Sequence, residues 1–386
     1  MEFYIDTNEL QRVVRLLGAT AKTNESGPAG LILVEAFENN TVSFLSNNGL
    51  MAISTLATDV IVKNPGTISV SYSAVKSFVM PFSAWNETFG AKGFTFSAEG
   101  KDINLKVDNV YEDGKKSKGR LKLESFDAYT IRQPKPFGEP TFELNSNIFK
   151  TALSKILYAI DPNGNKAGIQ GMNIRFDEEN IYFAGTNGVV LSEYKIKNIS
   201  TLPEGNFVLK HSFIMTLKSA ILEETMLLVE INKSDIKVKM GNACLHGTID
   251  VGSVYPNYAP NLESYENMVK LSKDVLISGL APFIDVLDSD DHNRLTLSIS
   301  DKKVTMYNDM AEFEYNGEVD FLDSFIIDVN GSFMSQTVFA IKDDSLYMKF
   351  SDDKGLLIFD SANFEDQKAI ITPIRRRNEG ISRKHS

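Results

Sequence analysis

The stretch Phe3-Tyr4-Ile5-Asp6-Thr7-Asn8-Glu9-Leu10 decides the fold, because the chain writes it three times. It returns as Phe142-x-Leu144-Asn145-Ser146-Asn147-x-Phe149 and again as Val269-x-Leu271-Ser272-Lys273-Asp274-x-Leu276. In each copy an alternating apolar segment, readable as a strand, runs into a small polar residue suited to capping a helix. These are Asp6 or Thr7, Asn145 or Ser146, and Ser272. Helical spacing follows. The copies open at residues 3, 142 and 269, a domain-sized period. A second strand-to-helix step follows within each unit, at Ile68–Phe82, Phe207–Leu222 and Phe325–Lys342. Three units with two helices each predict six equivalent helices.

Between these steps the chain alternates apolar and polar residues, as in Thr67-Ile68-Ser69-Val70-Ser71 and Arg294-Leu295-Thr296-Leu297-Ser298-Ile299-Ser300. Such period-two patterning reads as half-buried antiparallel strands, with Asn47-Asn48-Gly49 and Asn187-Gly188 marking turns. Arg132-Gln133-Pro134-Lys135-Pro136-Phe137-Gly138-Glu139-Pro140 reads as one domain junction, and Tyr255-Pro256-Asn257-Tyr258-Ala259-Pro260-Asn261 as a second. The expected class is α+β: three repeated domains over 1–138, 139–262 and 263–376, each of antiparallel sheet with two helices laid on one side. A basic, flexible tail is expected over 377–386.

Of the 386 residues, 42% are hydrophobic and 24% charged, which argues against a disordered chain. The net charge of −11 argues against a wholly basic nucleic-acid coat. Cys244 is the only cysteine, so neither a disulfide framework nor a cysteine-rich zinc module is expected. The N-terminus lacks a secretory pattern, and apolar runs such as Gly30-Leu31-Ile32-Leu33-Val34 are too short to span a bilayer. A soluble protein of a reducing compartment, the cytoplasm, is expected.

The helical windows 10–22, 73–82, 147–160, 210–222, 275–287 and 331–342 hold nine basic residues: Arg12, Arg15, Lys22, Lys76, Lys150, Lys155, Lys210, Lys218 and Lys342. Their one acidic residue is Asp285. Apolar stripes, Leu10, Val13, Val14 and Leu17 in the first window and Phe149, Leu153 and Ile156 in the third, leave these charges pointing away from the core. On any single helix they read as ordinary solvated residues. Across six windows of an acidic protein, the clearing of carboxylates predicts one positive surface facing a polyanion. Lys166 joins this DNA-facing set. Without a recognition-helix or finger motif, the contacts would go to phosphates and be independent of sequence.

At this point the chain resembles the bacterial sliding clamps, the beta subunits of DNA polymerase III, in bacterial or phage-encoded form. The likeness covers about residues 1–376. Gly171-Met172, followed by Ile181-Tyr182-Phe183-Ala184-Gly185-Thr186-Asn187-Gly188-Val189-Val190-Leu191, stands where the family has Gly-Met and Ala-Thr-Asp-Gly-His-Arg-Leu. Gly252-Ser253-Val254-Tyr255-Pro256-Asn257-Tyr258 resembles its Gly-x-Phe-Pro-Asp-Tyr, and Ala369-Ile370-Ile371-Thr372-Pro373-Ile374-Arg375 its closing Tyr-Val-Val-Met-Pro-Met-Arg. Each motif is weak alone; in order, within a triplicated chain, they reinforce one another.

The resemblance implies a head-to-tail homodimer whose six DNA-clamp domains close a ring around duplex DNA, helices inward. Such a processivity factor acts in DNA replication without catalysis or cofactor, tethering a DNA polymerase and being opened by a clamp loader. It further implies a partner-peptide pocket at Ile169, Thr186, Gly188, Leu191, Pro256, Ile370, Thr372, Pro373 and Ile374. Val189-Val190 stands in place of the family's His-Arg and Thr372 in place of a methionine, which alters that pocket's rim. For the dimer contact it implies Leu121 and Leu123 against Val286 and Leu287. Nearby charges oppose: Lys115, Lys116, Lys118, Arg120 and Lys122 against Asp285, Asp288, Asp290 and Asp291.

Catalytic readings find little in the sequence. His211, His246, His292 and His385 lack ligand spacing, so no metal is expected. Asp288-Ser289-Asp290-Asp291 and Asp161-Pro162-Asn163-Gly164-Asn165 both fail the calcium-loop pattern. The alternative reading is a non-catalytic structural β-repeat protein that does not bind DNA. The charge-cleared helices disfavour it.

Overall fold

The computed structural model describes residues 1–22, 27–84, 93–100, 102–110, 116–128, 131–197, 205–249, 254–263, 265–287, 289, 291–300, 302–317, 324–350, 355–364 and 366–374. Lys115, Asp288, Asp290 and the 377–386 tail lie outside them.

Among the described residues, six helices of eight or more residues each follow directly on a strand. They are α1 (Thr7–Leu17), α2 (Tyr72–Val79), α3 (Ser146–Ile156), α4 (His211–Ala220), α5 (Lys273–Leu280) and α6 (Gly331–Ala340). Side-chain caps fix several of the starts, whereas Ser272, expected as a cap, makes no capping hydrogen bond. Asp6 accepts from the amides of Asn8 and Glu9, Ser71 from that of Ala74, and Asn330 from that of Phe333. Because Asp6 caps α1, the helix begins three residues earlier than the apolar spacing suggested and takes in Glu9. By the same shift α5 takes in Asp274. The helices therefore carry two acidic residues against seven basic ones, and Lys210 belongs to a strand.

The element order repeats. Each third of the chain reads strand, helix, three strands, strand, helix, three strands, and the first third adds one strand, Val60–Asn64. All pairing is antiparallel. The chain forms two compact units, Met1–Phe149 with Ser212–Val251 and Lys150–His211 with Gly252–Ser386.

The first unit holds two sheets. Five strands run in the order Val60–Asn64, Glu2–Asp6, Gly93–Glu99, Asp102–Val110, Lys116–Leu123. Eight run in the order Phe142–Asn145, Met226–Ile231, Asp235–Met240, Ala243–Thr248, Ala52–Ala57, Thr41–Asn47, Leu31–Phe37, Gly66–Ser71. Phe3, Ile5, Leu10, Val13 and Leu17 are fully buried, with Phe3 stacked on Phe96 at 4.9 Å. Burying each such side chain contributes roughly 1.5–3 kcal/mol.

The second unit also holds two. Eight strands run Gly205–Lys210, Gly171–Phe176, Asn180–Thr186, Val190–Lys197, Gln367–Ile371, Leu357–Ser361, Ser345–Phe350, Asn267–Ser272. Four run Glu312–Asn316, Lys303–Tyr307, Arg294–Ser300, Phe325–Asn330. Gly171 opens its strand because a Cβ there would lie 2.0 Å from the Leu209 carbonyl oxygen.

Both eight-stranded sheets cross from one repeat to the next. Leu245 pairs with Ile53 in one, and Leu191 with Ile370 in the other. Each join places the last strand of a repeat against the strand that closes the first triplet of the preceding repeat. These continuous sheets are why the compact units divide inside the middle repeat rather than at its proline-rich junctions. No helix among the described residues is long and apolar enough to cross a membrane.

Candidate nucleic-acid interface and partner groove

The basic residues of the helices divide into two kinds. Arg15, Lys76 and Lys218 are exposed on α1, α2 and α4; Lys22, Lys166 and Lys210 are exposed outside helices, and Lys150 is half-buried on α3. In the first unit, Arg15 and Lys76 rim a groove of about 500 Å³ whose floor includes Val14, Tyr72, Met80 and Met215. Tyr72 holds α2 to α1 by donating to the Val14 carbonyl at 3.1 Å.

Two of the sequence-predicted DNA-facing residues are otherwise engaged. Lys155 is 5% exposed; its Nζ lies 2.9 Å from Asp366 and 4.3 Å from the Tyr194 ring centroid. A buried, paired ammonium does not face a phosphate, so Lys155 leaves the set. Arg12 is drawn back toward Glu9, with nitrogen–oxygen distances of 2.7 Å, and donates to the Leu56 carbonyl at 3.2 Å. The Glu9 hydrogen bond raises its already high pKa. Its charge is largely answered within α1. Sequence reasoning missed both because the anions sit elsewhere: Asp366 is distant in sequence, and Glu9 lay before the assumed helix start.

The expected partner-pocket residues fall into two layers of the second unit. Leu191 and Ile370 are buried with Ala184, Val208, Ile358, Tyr255, Tyr258 and Leu262. The Tyr255–Leu262 segment, which takes in the junction expected over 255–261, covers this apolar sheet face, and Pro256 stays exposed. Tyr258 donates to Glu193 at 2.6 Å. Burial raises the Glu193 carboxyl pKa despite that hydrogen bond and nearby Arg175. Thr186 and Ile169 are buried; Thr186 Oγ1 donates to the Val190 carbonyl at 2.8 Å. Gly188 turns the chain at φ +89°.

The other layer is open. Thr372, Pro373 and Ile374 are half-buried and, with exposed Val189, line a groove of about 670 Å³. The Thr372 amide donates to the Val189 carbonyl at 2.9 Å, and the Ile374 amide to that of Asp328 at 2.7 Å. Asp291, His292, Asn293, Arg294, Asn330 and Phe333 complete the lining, none of them expected in this pocket from the sequence. They come from the start of a strand and the cap of α6, positions that carry no apolar periodicity to read. Arg294 pairs with Asp291 at 2.9 Å and with Asp328 at 3.2 Å. Val190 lies in the core rather than on this rim.

At the expected dimer contacts, Leu123 is 3% exposed and already packed within its own unit, which removes it as an interface residue. Leu121 is half-buried. Val286 and Leu287 are half-buried against their own core. Two of the sheets' edge strands, Lys116–Leu123 and Glu312–Asn316, carry complementary patterns, and neither has a strand on its outer side among the described residues. Lys118, Arg120 and Lys122 alternate with Leu121 on the first, and Glu312 and Glu314 with Phe313 and Tyr315 on the second. No cluster of three metal-ligating side chains occurs among the described residues.

No protein-family profile and no curated protein matches the sequence. Solved structures do match. The DNA polymerase III beta subunit of Thermotoga maritima is 13% identical, with a TM-score of 0.81 over 97% of this chain and 100% of that one. The sliding clamp of Pseudomonas aeruginosa bound to griselimycin is 14% identical, TM-score 0.81, over 97% and 99%. The beta subunit of Streptococcus pyogenes is 15% identical, TM-score 0.78, over 97% and 100%. The chain has the fold of these proteins along nearly its whole length.

Proposed function

We propose that this chain, with the fold of DNA polymerase III beta subunits, is a sliding clamp: a non-catalytic ring that encircles duplex DNA and tethers a polymerase to it. The carrying observation is the strand order. Twice, the last strand of one repeat pairs with the strand closing the first triplet of the repeat before it. The same rule leaves two unmatched edges, Lys116–Leu123 of the first repeat and Glu312–Asn316 of the third. A second copy, joined head to tail, would satisfy both.

The two edges suit each other. One alternates cations with leucine, the other alternates carboxylates with aromatics, so antiparallel pairing would put apolar residues on one face and opposite charges on the other. Glu312 and Glu314 thereby replace the Asp285–Asp291 run as the acidic side of the contact. The count of two copies, and the three domains at 1–138, 139–262 and 263–376, rest on the resemblance and the recurring element order.

Arg15, Lys22, Lys76, Lys150, Lys166, Lys210 and Lys218 form the DNA-facing set in this reading. So few cations would bind phosphates weakly and without sequence preference, which suits a ring that must slide. Partners, including polymerase and clamp loader, would dock an apolar segment where Val189, Thr372, Pro373 and Ile374 open the second unit's groove. Images of the purified particle test the assembly. A closed annulus is expected; a globular monomer, or an open filament, overturns it.

A further inference from the structure

The turn that brings Val189 to the second unit's groove recurs in the first unit, with Leu50 in the same place. Asn187 accepts from the amides of Val189 and Val190, both at 2.9 Å. Asn48 accepts from those of Leu50 and Met51, at 3.0 and 2.9 Å. The intervening glycine is left-handed in both, φ +89° at Gly188 and +88° at Gly49. The strand beyond each turn pairs with the last strand of the following repeat, Leu191 with Ile370 and Ala52 with His246. By that register Thr248 stands where Thr372 stands in the second unit.

Beside Leu50 lies a groove of about 240 Å³. Leu50 is 73% exposed, and Met51, Ala52 and Ile236 add apolar lining. The volume falls below the roughly 300–1,000 Å³ of small-molecule sites and suits one or two side chains of a peptide. The segment Arg132-Gln133-Pro134-Lys135 completes the lining. It is tied down on either side of the groove residues: the Asn47 side chain donates to the Arg132 carbonyl at 2.8 Å, and Lys237 Nζ to that of Pro136 at 2.7 Å.

The charge of this groove is positive. Arg132 and Lys135 are exposed. Lys237 adds little, being buried and paired with Glu230 at 2.8 Å. Burial pushes the His246 pKa down to about 4, so its ring is neutral. Half-buried Asp235 is the one carboxylate among the described lining residues. Two exposed cations beside an exposed leucine favour an occupant that combines an apolar side chain with carboxylates.

We propose that this groove is a second docking site, taking a short extended segment of another protein in which a large apolar residue is flanked by carboxylates. The apolar side chain lies on Leu50, Met51 and Ile236, and the carboxylates reach Arg132 and Lys135. The likeness to the Val189 groove rests on that groove being the partner site; the charge of this one stands without it. One apolar anchor and two solvated ion pairs give weak binding, with a Kd on the order of 0.1–1 mM.

A fluorescein-labelled peptide, Ser-Asp-Leu-Glu-Phe-Asp-Ser, titrated with the full-length chain and followed by fluorescence anisotropy, tests this. Binding is expected to be half-complete below about 1 mM. Leu50→Asp should weaken it about tenfold, and Arg132→Glu with Lys135→Glu several-fold. Ile374→Asp, in the other groove, should leave the Leu50-dependent binding in place. Leu50, Arg132 and Lys135 are exposed, so their replacement should not move the unfolding midpoint. No binding up to a few millimolar, or binding indifferent to Leu50→Asp, overturns the proposal. Loss of self-association in Leu50→Asp overturns it too, by giving the groove to a second copy. Retention of the wild-type protein on circular DNA is read separately: a chain that loads but binds the peptide without regard to Leu50 refutes this groove and spares the clamp. Leu50-dependent binding by a chain that never loads does the reverse.

Discussion

Lys155 carries its charge inward, to Asp366, while Arg15, Lys76 and Lys218 carry theirs to solvent, and the two kinds of lysine and arginine should fail differently. Lys155→Ala is expected to lower stability by about 2 kcal/mol, less than a fully buried pair because Asp366 stays partly solvated. Denaturant unfolding reads that loss, and DNA retention by the folded remainder should be unchanged. Reversing Arg15, Lys76 and Lys218 to glutamate should do the opposite, leaving the unfolding midpoint within about 0.5 kcal/mol while weakening retention. Acid tests a further pair of residues. Burial alone would raise the Glu230 carboxyl, but hydrogen bonds from Lys237, the Gly138 amide and Asn232 outweigh it and hold it at about 2. Asp343 is likewise held at about 2, with Ser361, Asn363 and Ser345 outweighing burial. A carboxyl depressed in the folded state stabilises above its ordinary pKa and loses that contribution as pH falls. Stability should therefore drop from about pH 4.5 toward 2, and Glu230→Gln should flatten that drop in an acid titration followed by circular dichroism.

At the level of elements, the two open sheet edges make the sharpest demand. An unpaired edge is an aggregation hazard unless something covers it, and here the edges are oppositely charged. Lys118→Glu with Arg120→Glu should weaken the proposed dimer roughly tenfold or more, as should Glu312→Lys with Glu314→Lys. Mixing the two reversed chains should restore association, since one junction would then carry the exchanged charges and the other two unaltered edges, which sedimentation at low protein concentration would detect. The helices and their order were legible in the sequence because capping residues and apolar periodicity are local signals. Asp6-Thr7 and Ser272-Lys273 announce a helix without reference to the rest of the chain. Strand partnership was not legible. Nothing near Ala243–Thr248 says that it lies beside Ala52–Ala57, and that join is what singles out Glu312 and Glu314. The proposed partner groove was half legible: Thr372, Pro373 and Ile374 stand in a run that could be matched, whereas Asn330 and Phe333 enter only through the placement of α6.

For the whole molecule, the proposed ring holds DNA by topology, and its affinity for any one phosphate is small. Binding to linear DNA should fall steeply with salt, as for any protein that neutralises a handful of phosphates. Passage around an unbroken circle should not. The decisive measurement mixes the protein with nicked circular plasmid, closes both dimer junctions with a cross-linker, and washes in high salt. Protein is expected to stay with the circle and to leave when a restriction enzyme linearises it. Release from the intact circle in high salt, or equal retention before and after the cut, would contradict encirclement.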